Sequence, residues 1–301
     1  MTPTVSAVIP TIGRPSLARA VQSVLDQTYR VAEIIVVADT DRPLCVPPDD
    51  RIVLIRTEVG SGAARSRQLG IDAARGTVIA LLDDDDEWHC TKLARQLDAV
   101  GSIAGQHWIV SSRMMVMGPG DRRRTWPRRL IEPGESVSEY LFRFTDLGFG
   151  GAVLQTSTLC FPAELARKVR WDEHAGAVHD EPTWLIQVQR TFPGVLVVQL
   201  PQVLSTYNVM DSSVSRDAAD RTDEYIDWGL QYLASESPRV LGDYLCTSPV
   251  SAAVVARSLG GVRRSLRSGL RNGRPGPFAL LYAVLNGVRI VAGSAGLAVG
   301  R

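Results

Sequence analysis

Apolar and polar positions follow two different periods along the first hundred residues. Short β-branched runs recur at residues 5–9, 33–37, 52–55 and 77–82, bordered by glycine, proline or acidic residues. Runs of that length and composition predict buried strands. Between the first two, Leu17, Ala20, Val21, Val24 and Leu25 recur at helical spacing, with Ser16 placed to cap them. Gly60, Ser61 and Gly62 open a second helix carrying Arg65, Arg67 and Gln68. Strand, helix, strand, strand, helix, strand with short connections predicts a mostly parallel, Rossmann-like sheet flanked by helices. Such a sheet binds ligands at the carboxyl ends of its strands.

Further along, residues 109–117 predict another strand, 139–142 a helix, and 148–151 a flexible glycine-rich link. Residues 154–161 predict a strand of small hydroxyl side chains, a helix follows Pro162, and 194–198 predict a further strand. The basic cluster at 121–129 reads either as a solvated loop or as a face for an anionic acceptor or membrane surface. From Arg221 the pattern is mostly helical. It includes arginines at 263, 264, 267 and 271, then an apolar stretch at 278–299. That stretch is long enough to span a bilayer, but Arg289 in its middle costs about 3 kcal/mol there. Two readings remain: a surface-associated element in peripheral membrane contact, or a helical pair packed on the catalytic domain. The expected organisation is a catalytic domain over 1–220, with a nucleotide-binding half at 1–110 and an acceptor half at 111–220. A helical C-terminal region covers 221–301.

Composition narrows the class. Hydrophobic residues at 45% and charged residues at 22% suit a folded globular chain. A net charge of +1 gives no general argument for nucleic acid, and none is expected as a partner. Cys45, Cys90, Cys160 and Cys246 are scattered without a CxxC pair, which predicts buried free thiols in a reducing compartment. No N-terminal signal is visible, so a cytoplasmic location is expected, at the inner face of the membrane if the tail binds there.

The chemistry gathers at strand ends. The strand at 77–82 runs straight into Asp83, Asp84, Asp85 and Asp86. Four adjacent carboxylates repel and cannot all be desolvated, so a hard divalent cation is the natural partner, against a solvated acidic turn. The earlier strand ends offer Thr11 and Arg14, then Asp39 and Asp41. Together these suit a nucleotide: carboxylates for base or ribose edges, an arginine for a diphosphate, acids for a bridging metal. Neither GxGxxG after the first strand nor GxxxxGK[ST] is present, which counts against a dinucleotide dehydrogenase or a P-loop NTPase.

The segments VSAVIPTIGRPSLARAVQSVLDQTYRVAEIIVVADTD and GSGAARSRQLGIDAARGTVIALLDDDDEWHCTKL resemble the nucleotide-binding half of family-2 glycosyltransferases, inverting enzymes of the GT-A fold. The resemblance implies that Pro10 and Thr11 line the nucleotide, Asp39 holds the base, and Arg67 lies near the donor. It makes Asp83, Asp84 and Asp85 the DxD motif for Mn2+ or Mg2+. Asp85 is the expected direct ligand, and Asp83 and Asp84 contact ribose or metal-bound water. Asp86 and Glu87 are left to the N-terminus of the next helix. Ala38 and Gln68 depart from the family's usual acid and asparagine. Laid on the family pattern, Trp171, Asp172 and Glu173 precede a loop, and His179 and Asp180 take the place of its acidic pair. Asp180 is thereby the candidate base, with Glu181 the runner-up. Their competing reading is a helix start with Pro182 in its first turn. Thr156, Ser157, His179 and Trp184 fall in the implied acceptor region. Where the family often carries Arg or His, this chain has Asn208 and Met210, and Ser213 and Ser215 receive no role.

The implied activity is transfer of a sugar from a nucleotide-diphosphate donor to a glycan, lipid-linked or small-molecule acceptor, within polysaccharide and cell-envelope biosynthesis. The alternatives are a nucleotidyltransferase and a non-catalytic nucleotide-sugar-binding protein. The first usually needs a Gly-rich, lysine-containing loop that Ile9 to Ser16 does not supply.

Overall fold

The computed structural model describes residues 2–101, 107–118, 120, 122–148, 151–171, 178–209 and 219–298. The chain forms two compact units, one of residues 1–137 and 152–210, the other of residues 138–151 and 211–301.

The first unit is built on a nine-stranded mixed sheet. Its first part contains β1 (Val5–Thr11), α1 (Leu17–Leu25), β2 (Glu33–Ala38), β3 (Ile52–Arg56), α2 (Ala63–Ala73) and β4 (Val78–Leu81). The four strands are parallel, in the order β3-β2-β1-β4. Every residue of β1, β2 and β4 is buried, which is why they read as largely apolar runs. Ser16 takes the cap position of α1 but makes no side-chain capping bond. α2 lies so close to β1 that a Cβ on Gly70 would meet Val8 at 2.4 Å, so only glycine fits there. Because these strands are parallel, Thr11, Asp39 and Asp83 all emerge at one end of the sheet.

Past β4 the sheet reverses. The further elements are β5 (Glu87–Trp88), α3 (Lys92–Val100), β6 (Trp108–Gly118), β7 (Arg122–Trp126), α4 (Val137–Phe142, which from Ser138 on belongs to the second unit), β8 (Cys160–Pro162), α5 (Ala163–Lys168), α6 (Asp180–Thr191) and β9 (Leu196–Asn208). β8 lies antiparallel to β4 and β6, β9 parallel to β6, and β5 antiparallel to β9. Three expectations change here. The stretch 154–161 contains a 3-10 turn, Thr156–Thr158, and only its end joins the sheet. The basic cluster is an edge strand, β7, paired with β6, leaving Arg122, Arg123 and Arg124 exposed. The strand expected at 194–198 begins at Leu196 and runs on to Asn208 as one long strand, whose register with β6 shifts between Ser112 and Met114. Cys160 is a buried thiol, as is Cys246, but Cys45 and Cys90 are exposed.

The second unit holds α7 (Thr222–Tyr232), α8 (Pro238–Leu245), α9 (Ser248–Val255), α10 (Leu259–Asn272) and α11 (Pro277–Ala298). Phe142, Trp228 and Tyr244 form an aromatic core with ring centroids 5.0 to 5.5 Å apart. Buried Asp243 ties the helices together, accepting hydrogen bonds from Arg239 Nε at 2.8 Å and the Gly276 and Phe144 amides at 2.7 and 3.0 Å. Among the described residues no helix is long and apolar enough to cross a membrane. Asp121, Asp172, Glu173, Met210, Ser213, Ser215 and residues 149–150 of the glycine-rich link lie outside the described residues.

Candidate active site

The four acids after β4 are separated by their partners. Asp83 accepts from Arg67 Nη2 at 2.8 Å and from Gln155 Nε2 at 3.3 Å. Asp84 is buried; it accepts from Thr11 Oγ1 at 2.6 Å and is paired with Arg14. Asp86 is also buried and accepts from Ser157 Oγ at 2.7 Å, Gln155 Nε2 at 3.0 Å and the Asn208 amide at 3.1 Å. Among the described residues the one cation near the Asp85 carboxyl is Arg14, at 3.6 Å, while the Asp85 carbonyl accepts from Asn208 Nδ2 at 2.7 Å.

This division corrects the expected one. Asp86 does not start the next helix: α3 begins at Lys92, and Asp86 is locked under the turn by neutral donors. Glu87 lies in β5 and pairs with Arg19 on the surface. Burial pushes the Asp86 carboxyl well above the usual carboxylate range, and Asp83 adds to it. Burial, then the charges of Asp83 and Asp84, push Asp85 up to about 6 despite Arg14. Tyr207, at the end of β9, is pushed up to about 12 by burial and by Asp86, Asp83, Asp85 and Glu181.

Arg67 is the hub. It is buried on α2, donates to Asp83, and holds Nη1 3.5 Å from Asp180 Oδ2, with its guanidinium 5.3 Å above the Trp171 ring. Burial alone would lower its affinity for a proton, but Asp83, Glu181 and Asp180 more than reverse this. The acids at the end of β4 and the start of α6 are thereby joined through one cation, although 97 residues separate Asp83 from Asp180. Asp180 opens α6 directly after His179, which sits in the left-handed region at φ 57°. Burial pushes His179 down to about 4, so its ring is neutral at physiological pH and brings no positive charge to Asp180. Glu181 accepts from Thr156 Oγ1.

The remaining residues separate into those that face this cluster and those that support it. Pro10 is buried within β1, and Thr11 and Arg14 are committed to Asp84. The Asp39 carboxylate accepts from the amides of Gly60, Ser61 and Gly62 at 2.5, 3.0 and 2.8 Å, fixing the loop that opens α2. Ser157 and Thr156 are enclosed in the 3-10 turn and bind acids rather than facing solvent. Trp184, expected toward the acceptor, is fully buried. It stacks on Trp171 at 5.2 Å and donates to the Val169 carbonyl, because it points to the core side of α6. Sequence reasoning missed Gln155, Tyr207 and the bracing role of Asn208. All three stood in stretches already singled out, but nothing in their spacing marked them.

Among the described residues no three His, Cys, Asp or Glu side chains are arranged as a metal-holding group. Asp85 nevertheless suits a hard cation. Its carboxyl is partly exposed, an oxygen donor, and held near 6 by burial and then by its acidic neighbours, a condition that a divalent charge would relieve. A nucleotide diphosphate and water would have to supply most of the other ligands.

A model of the family described as Glycosyl transferase family 2 matches residues 6–149. The chain is 36% identical over 229 residues to a Bacillus subtilis (strain 168) protein, TuaG, named for teichuronic acid biosynthesis, covering 71% of this chain and 82% of that one. It is 28% identical over 250 residues to the amylovoran biosynthesis glycosyltransferase AmsB of Erwinia amylovora, covering 78% of each. Among solved structures, S. aureus TarS 1–349 in complex with UDP-GlcNAc aligns with a TM-score of 0.59 at 11% identity, over 95% of this chain and 89% of that one. The shared architecture is the GT-A fold.

Proposed function

Because the chain belongs to glycosyltransferase family 2, we propose that it moves a sugar from a nucleoside-diphosphate donor to a hydroxyl of a glycan, lipid-linked or small-molecule acceptor, with inversion at the anomeric carbon. Membership of that family removes the nucleotidyltransferase alternative. The names of TuaG and AmsB favour assembly of a surface polysaccharide, and the fold likeness to a UDP-GlcNAc complex favours a uridine donor.

The observation that carries the reading is the Arg67 bridge between Asp83 and Asp180. It sets the acid turn, where a donor diphosphate belongs, beside a carboxylate at a helix start. In the proposed reaction the acceptor oxygen attacks the anomeric carbon opposite the diphosphate. As that bond forms and the carbon–diphosphate bond breaks, Asp180 takes the hydroxyl proton. Arg67 holds the Asp180 carboxylate in place, and Arg14 lies at the turn where negative charge leaves. Asp85, with Asp83 beside it, would hold Mn2+ or Mg2+, whose chemistry when bound is to neutralise charge growing on the departing diphosphate. Thr11, Gln155, Ser157 and Asn208 keep the turn rigid.

The test is turnover of UDP-, GDP- and dTDP-sugars with Mn2+ by the wild-type chain and Asp180→Asn, alongside nucleotide binding by thermal shift. Loss of turnover with binding kept supports the base. Normal turnover in Asp180→Asn refutes it, and binding without any turnover in the wild type favours the non-catalytic reading.

A further inference from the structure

The charges of this chain are divided along its length. After Asp243 the last 58 residues hold eight arginines and no lysine, aspartate or glutamate. The total of +1 is therefore +8 on this segment against −7 on the first 243 residues. Such a division points to a polyanionic partner for the segment alone.

The helices sort these arginines from apolar surface. On α10, Arg263, Arg267, Leu270 and Arg271 recur at helical spacing and are exposed. Arg264 is bound to Asp223 and Asp220 at 2.8 and 3.3 Å. Among the described residues no carboxylate lies within ion-pairing distance of Arg263, Arg267 or Arg271. α11 follows directly. It buries Ala279 and Ala283, the latter in a small core with Val250, Ala253 and Val262 that joins α9, α10 and α11. Its opposite face carries Phe278, Leu281, Val284, Leu285, Val288 and Val291, each 42 to 62% exposed. These positions form one continuous stripe at helical spacing, with exposed Arg289 at its edge. A helix packed through alanines on one side and showing valine, leucine and phenylalanine on the other has not finished burying its apolar surface.

We propose that α10 and α11 form a docking surface for an anionic lipid bilayer. The exposed stripe of α11 enters the boundary between headgroups and acyl chains, and the arginines of α10, with Arg289, engage lipid phosphates. Arginines alone would suit any polyanion; the apolar stripe selects a bilayer. A second copy of the chain fits less well, because it would bring Arg263, Arg267, Arg271 and Arg289 of both copies together, and neither segment carries an acid to offset them. Since no described helix is long and apolar enough to span, the surface lies along the membrane.

The full chain is floated with vesicles of phosphatidylcholine alone and of phosphatidylcholine mixed with phosphatidylglycerol. Two variants accompany it, Val284→Glu/Val288→Glu and Arg263→Gln/Arg267→Gln/Arg271→Gln. All five positions are exposed, and thermal melts confirm that the variants fold. Binding is expected only to the anionic vesicles and to weaken with salt. The arginine variant should lose on the order of a hundredfold in partitioning, and the glutamate variant a comparable amount. The proposal is overturned if the wild type does not bind anionic vesicles, if neither folded variant loses binding, or if light scattering shows a dimer that the glutamates dissociate while vesicle binding is absent.

Discussion

Asp85→Asn should make the metal-free protein more stable. The Asp85 carboxyl is raised from 3.8 to about 6 in the fold, so its ionised form is disfavoured there by about 3 kcal/mol relative to the unfolded chain. The sign follows from proton binding. Between these two values the folded state holds a proton that the unfolded state has lost, so stability falls as pH rises, and above about 6 the full penalty is present. Asparagine keeps the shape and removes the charge, forfeiting only the attraction to Arg14 at 3.6 Å. In urea denaturation with a chelator, the variant should therefore gain up to about 3 kcal/mol near pH 7.5, shrinking to about 1 kcal/mol near pH 4.5. Adding Mn2+ at about a hundred times its dissociation constant should stabilise the wild type by about 2.7 kcal/mol and the variant far less. A variant no more stable than wild type near pH 7.5, or a gain that ignores pH, would refute the assignment of strain to this carboxyl.

Asp180→Asn should lower turnover by about 10²- to 10⁴-fold while leaving nucleotide binding intact, as read by initial rates and calorimetry. Arg67→Met leaves Asp83 and Asp180 partly buried without their shared cation and should cost about 3–5 kcal/mol in denaturant unfolding; Arg67→Lys should recover only part. Gly70→Ala drives a Cβ into Val8 and should cost about 1–3 kcal/mol, with a loss of activity as α2 and Arg67 shift away from β1.

The parts of the fold that were legible were those where burial is uniform. β1, β2 and β4 are enclosed on both faces, so their residues are apolar apart from Ser6, Thr11 and Glu33, and the acids that follow could be placed at the strand ends. β7 was not legible, because an exposed edge strand of three arginines has no buried face to impose a period. The turn at Thr156–Thr158 was taken for strand because small hydroxyl residues suit both; its hydrogen bonds to Glu181, Asp86 and the Asp83 amide decide the matter. Trp184 was misplaced because its position in the sequence, four residues after Asp180, says nothing of the Trp171 ring on which it stacks. The run of four acids revealed a site but not its internal order, since consecutive carboxylates in a turn point in directions that only their partners fix.

That order is what makes the site workable. Four adjacent charges would unfold a turn left to repel itself, so the chain neutralises three of them by different means. Asp84 has a cation and a hydroxyl, Arg14 and Thr11. Asp83 has the buried Arg67. Asp86 has only neutral donors, Ser157, Gln155 and the Asn208 amide, which suits a carboxyl that burial pushes toward its protonated form. Among the described residues Asp85 is left with the weakest compensation, one guanidinium at 3.6 Å that it shares with Asp84. A divalent ion at this turn would meet the least competition at Asp85, because each neighbouring carboxyl would first have to give up a partner. The same bracing reaches Asp180: the cation that holds Asp83 in place also fixes the carboxylate proposed to take the proton.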